Sequence, residues 1–182
     1  MFQRTKVSAI HANYASQSDF CEVFEREMKS LYLLAFMLTA NHRAAEQCFA
    51  ATVADTSQAQ PVFKGWVRSW VVRSMIKNAI NIVSPAAVRN RREVESWGVD
   101  KDEPAEINAV TRLAPLDRFV FVMSVLERYS IRDCALLLDC SSTRVARSRS
   151  RALGRLPGTN NIFPADVTGN GVWSSGYVGA TA

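Results

Sequence analysis

The segment Ser130-Ile131-Arg132-Asp133-Cys134-Ala135-Leu136-Leu137-Leu138-Asp139-Cys140-Ser141-Ser142-Thr143-Arg144-Val145-Ala146-Arg147-Ser148-Arg149-Ser150-Arg151-Ala152-Leu153 decides the fold. It divides into a short helix over Ile131–Leu138, a tight turn over Asp139–Ser141 and a second helix over Ser142–Leu156, stopped by Pro157 and Gly158. Two helices that cross steeply need a small residue at the crossing and apolar residues behind it. Ala135 is the small residue, Leu138 and Val145 face inward on either side of the turn, and Ala152 and Leu156 continue the inner stripe. Ser141 or Ser142 caps the second helix, so its amino end can point at a groove. The expectation is a helix-turn-helix.

The second helix carries Arg144, Arg147, Arg149, Arg151 and Arg155, with no acid between Cys140 and Leu156. Arginine can bridge the O6 and N7 atoms of guanine or grip a phosphate. Early positions on a recognition helix tend to reach bases and later ones phosphates. Ser142, Thr143, Arg144 and Arg147 are therefore the expected DNA contacts at the amino end, with Thr143, Arg144 and Arg147 on bases. Arg149, Arg151 and Arg155 are the expected backbone contacts. Five arginines cannot share one face, so some must turn to solvent or to the domain body. The competing reading is a solvated basic helix in an ordinary bundle.

Outward from this unit, Leu116–Leu126 is strongly apolar, and Tyr129 and Ser130 mark a break. Residues 85–106 read as a linker: a basic cluster (Arg89, Arg91, Arg92) precedes an acidic one (Asp100, Asp102, Glu103, Glu106), and Gly98 and Pro104 break helical periodicity. Before it, Ser18 or Asp19 can cap a helix with Phe20, Phe24, Leu31, Ala35 and Leu38 at helical spacing. Asn41 can cap a second, from His42 to about Ala54, with Ala45, Cys48, Phe49 and Val53 as its apolar positions. After a loop over residues 55–60, Pro61 fits the start of a third helix, which runs to about Val83 and ends before Pro85. Residues 1–18 read as frayed, and residues 157–182, rich in glycine and small polar residues, as a disordered tail. No stretch alternates like a strand. The expected fold is all-α: a helical domain over 19–84, the linker, and a helix-turn-helix domain over 107–156.

With 48% apolar and 21% charged residues in 182, the chain has the composition of a globular protein. A net charge of +5 permits nucleic-acid binding without demonstrating it. Charge distribution is more telling: residues 61–92 contain Lys64, Arg68, Arg73, Lys77, Arg89, Arg91 and Arg92 and no acid, interleaved with Trp66 and Trp70. Cations beside aromatic rings suit single-stranded DNA, where charge follows the phosphates and rings stack on bases. Trp66 and Trp70, four residues apart on one helix face, could equally be core. Cys21, Cys48, Cys134 and Cys140, with His11 and His42, show no metal-ligand spacing and read as reduced thiols. No cofactor motif and no set of nucleophile, base and acid is present, which argues against an enzyme. Without a signal peptide or a span-length apolar run, the expected location is cytoplasmic.

Ser130, Ala135, Leu138, Cys140, Ser141, Val145, Arg151 and Ala152 fall without a gap on a pattern of the extracytoplasmic-function (ECF) sigma factors, and Asp133 stands where the pattern has Glu. Upstream, Leu113-Ala114-Pro115-Leu116-Asp117-Arg118-Phe119-Val120-Phe121 resembles the first helix of the same domain. In the amino-terminal half, Leu31-Tyr32-Leu33-Leu34-Ala35-Phe36-Met37-Leu38-Thr39 and Ala44-Ala45-Glu46 resemble the family's other domain, as does the aromatic segment from Phe63 through Trp66 to Asn78. The resemblance spans residues 19–156.

It implies promoter DNA and core RNA polymerase as partners, often with an anti-sigma protein. The carboxy-terminal domain would read the minus-thirty-five element. Lys64, Trp66, Arg68, Trp70, Arg73 and Lys77 would lie in the promoter-melting region, and Glu46, Gln47, Ala50 and Ala51 on the polymerase-docking surface. The family pattern there is Glu-Asp-x-x-Gln-Glu, and this chain has Glu46-Gln47-Cys48-Phe49-Ala50-Ala51, two carboxylates short. The alternative is a sigma-like DNA-binding regulator that no longer binds core polymerase.

Overall fold

The computed structural model describes residues 13–59, 61–85 and 104–156, and among them it is all-α. The expected frayed start over residues 1–12, most of the linker with its charge clusters, and the tail over residues 157–182 lie outside the described residues.

Helix α1 covers Gln17–Thr39. Its cap is Ser16, not Ser18 or Asp19, because Asp19 takes the third helical position and its Oδ2 accepts the Ser16 N–H at 2.6 Å. That reciprocal arrangement is a capping box. Hydrogen bonds from Ser16, helped by the Lys64 ammonium, hold the Asp19 carboxyl below the usual carboxylate range. The helix is interrupted at Glu27, whose φ of −111° and ψ of 15° are non-helical. It stops at Ala40 in the left-handed conformation, φ 54°. Helix α2 covers His42–Thr56 and is capped as expected by Asn41, whose side chain accepts from the Ala44 N–H at 2.9 Å.

The third helix does not begin at Pro61. Phe63 is extended, and residues 62–64 pair with residues 13–15: Ala15 N–H donates to the Val62 carbonyl at 2.7 Å and Lys64 N–H to the Asn13 carbonyl at 3.0 Å. This pairing removes the start of the segment from helical geometry, and it ties down residues 13–15, which the sequence assigned to the frayed end. A 3₁₀ turn over Lys64–Trp66 follows, and helix α3 covers Val67–Val83. Helices α1 to α3 form a bundle whose centre is Leu31, Ala35, Leu38, Ala45, Cys48, Val71, Met75, Ile76 and Ala79.

Helix α4 covers Ala105–Thr111, so the end of the expected linker is already helical. Helix α5 covers Pro115–Phe121, a π-helical turn follows over Val122–Leu126, helix α6 covers Ile131–Leu137 and helix α7 covers Ser142–Arg155. The two helical groups share one apolar core, with α1 packed on α4 and α5. Arg118 on α5 sits in this junction, only 4% exposed. Its Nε donates to the Leu38 carbonyl at the end of α1 (3.1 Å), and its Nη1 donates to the carbonyls of Thr111 and Leu113. A buried guanidinium is tolerated because backbone oxygens replace its water.

Candidate nucleic-acid interface

Helices α6 and α7 form the expected helix-turn-helix. Ser130 caps α6 through the Asp133 N–H at 3.1 Å. Of the two candidate caps for α7, the residue used is Ser141, whose hydroxyl accepts the Arg144 N–H at 3.3 Å. Asp139 turns the chain at a φ of 47°, and Cys140 N–H closes the turn on the Ala135 carbonyl at 3.0 Å. Val145 and Ala152 are 0% exposed, and Leu138 and Ala135 are buried with them. Their inward set fixes which face of α7 remains outside. Ser148 is also fully buried on the inner face, which apolar patterning alone did not disclose.

The outer face carries Arg144, Arg147, Arg151 and Arg155, spaced by three or four residues and therefore aligned. With Thr143 and the start of α5 they line an open cleft of about 670 Å³. Arg149 does not join the row. It is half-buried on another side of α7, its Nε is buried without a hydrogen-bond partner, and its charge acts on Cys134 of α6. Burial, together with the negative charge of Asp133, pushes the Cys134 thiol up to about 12 despite Arg149. The place of Arg149 on the helix wheel turns it toward the domain body, so its position does not support the backbone contact expected of it. Ser142 lies on the far side of the helix start, in a shallow hollow with Arg132 and Leu136.

The carboxy-terminal half of the arginine row meets an acid that the sequence did not offer as a partner. Asp117 of α5 has a side chain 3% exposed. Arg151 donates to it twice, from Nη2 to Oδ1 at 2.6 Å and from Nε to Oδ2 at 3.2 Å. Arg155 Nη1 stands 3.9 Å from Oδ2. The hydrogen bond to Asp117 holds the Arg151 guanidinium above its usual range.

Residues 107–156 match the family model described as Sigma-70, region 4. This segment is similar to a sigma-70 region 4 domain. No curated protein and no solved structure matches the chain. The matched segment contains both the buried stripe and the outward arginine row.

A second cationic face lies on α3, outside the matched segment. Trp66 is 65% exposed and Phe63 44%. Phe63 stacks on Tyr14 with ring centroids 4.8 Å apart and meets Trp66 edge-on at 5.4 Å. Trp70 is half-buried against Phe20, so of the two tryptophans one is open to solvent and the other is partly core. Phe63, Trp66, Trp70 and Arg73 line an apolar hollow of about 490 Å³. Lys77 is exposed one turn beyond Arg73. Arg68 turns elsewhere: its Nε donates to Glu27 at 2.7 Å, and Lys64 pairs with Asp19 at 3.5 Å. Tyr14 belongs to this face, and only the pairing of residues 13–15 with 62–64 could have revealed it.

On α2, Glu46, Gln47 and Ala50 are exposed and Ala51 is half-buried. Val53, which periodicity assigned to the core, is exposed on the same helix.

Proposed function

We propose that the chain is an ECF-type sigma factor that brings RNA polymerase to promoters. The observation that carries this reading is the aligned row of Arg144, Arg147, Arg151 and Arg155 on the outward face of the region-4-like helix-turn-helix. Thr143, Arg144 and Arg147, nearest the amino end of α7, are the base-reading residues, and Arg155 meets the backbone. The hollow between Phe63, Trp66 and Trp70, with Arg73 and Lys77 alongside, would take an unstacked base of the melted strand. Core polymerase would dock on the exposed face of α2 that carries Glu46, Gln47, Ala50 and Ala51.

The test is co-elution of the purified chain with core polymerase on a sizing column, followed by transcription from DNA selected for binding. Formation of a complex that initiates at the selected sites is the expected result. A second reading has its own observation: the α2 face has one acid, Glu46, where the resembled pattern has three. A chain that binds duplex DNA but does not co-elute with polymerase would be a sigma-like regulator instead.

A further inference from the structure

We infer that Arg151 acts as a positioning residue, held by Asp117 to set the angle of the recognition helix, and does not contact DNA phosphate. This inference rests on the duplex-binding reading above. Asp117 is almost wholly buried, and its two oxygens face Arg151 at 2.6 and 3.2 Å. A carboxylate removed from water needs such partners. A two-pronged bond fixes direction as well as distance. Ser148, buried on the inner face, accepts a further bond from Arg151 Nη2 at 2.8 Å, so the guanidinium is tied to both α5 and α7.

The lever is long enough to matter. Arg144 lies seven residues before Arg151, about 10 Å along the helix axis at the usual rise. A tilt of about 10° at Arg151 would move Arg144 by roughly 2 Å, enough to break a bidentate contact to a base. The charges also divide. Asp117 offsets the charge of Arg151, so the cleft presents the excess charge of Arg144, Arg147 and Arg155.

The experiment measures binding of the full chain to two duplexes, one selected from a random pool and one unrelated, across a series of salt concentrations. Arg155→Ala should make the salt slope shallower by about one. Arg151→Ala should leave the slope unchanged and reduce discrimination between the duplexes about tenfold. Arg151→Lys, which keeps the charge but not the fork, should recover part of that discrimination. Asp117→Asn should steepen the slope, because Arg151 is released as a free cation. Helical ellipticity during heating identifies any variant that fails to fold, and Arg151→Lys then carries the comparison. A shallower slope with equal loss on both duplexes for Arg151→Ala would overturn the inference and leave duplex binding standing. Failure of the unaltered chain to bind either duplex would overturn both.

Discussion

The arginine row of α7 and the aromatic face of α3 are both cationic, yet they are built in different ways. On α7 the cations stand on a helix whose opposite side is sealed by Val145 and Ala152, and one of them is anchored by a buried acid. At α3, Arg73 and Lys77 lie beside exposed rings, while Arg68 and Lys64 pair with Glu27 and Asp19, acids themselves partly open to water. A fixed row suits a duplex of regular geometry. A hollow of rings suits bases that have left the stack.

The most severe way to break the comparison is Val145→Asp. A carboxylate at a fully buried site should destabilise the region-4-like domain by about 3 kcal/mol or more, read as a lowered melting temperature and lost duplex binding. A sharper test pairs two variants. Arg147→Ala should weaken duplex binding by about 1 to 3 kcal/mol and leave single-strand binding unchanged. Trp66→Ala should weaken single-strand binding by about 1 to 3 kcal/mol and leave the duplex unchanged. Equal losses on both probes would merge the two faces into one.

Ser141→Ala removes the cap of α7 and should cost about 1 kcal/mol in thermal stability. The smallest effect is expected at Glu127, where the two helical groups meet. Burial raises its carboxyl above the ordinary value of 4.5, although Arg68 opposes the shift. The folded chain therefore holds this proton more tightly than the unfolded one. The associated stability is complete below the unfolded value and is lost as pH rises through the raised folded value. Glu127→Gln should flatten this decline, measured as melting temperature against pH.

The helix-turn-helix was legible because its information is local. The spacing of Ala135, Leu138, Val145 and Ala152 defines a face, and Asn41 and Ser141 announce helix starts within three residues. What stayed hidden depends on distant pairing. Asp117 is separated from Arg151 by 34 positions, and nothing near either residue signals the other. The late start of α3 has the same origin, since residues 62–64 are claimed by residues 13–15. Val53 misled because a helical period identifies an apolar position without saying whether another element covers it. Of the candidate site, the cations and rings were visible in the sequence, and their division between faces was not.

Arg118 has a consequence for how the chain comes apart. Its guanidinium joins the end of α1 to the segment that leads into α5, using carbonyls from both helical groups. Pulling the groups apart would strand those oxygens and the cation at a freshly opened apolar seam. Calorimetry should therefore record one endotherm for the whole chain, and Arg118→Ala should split it into two.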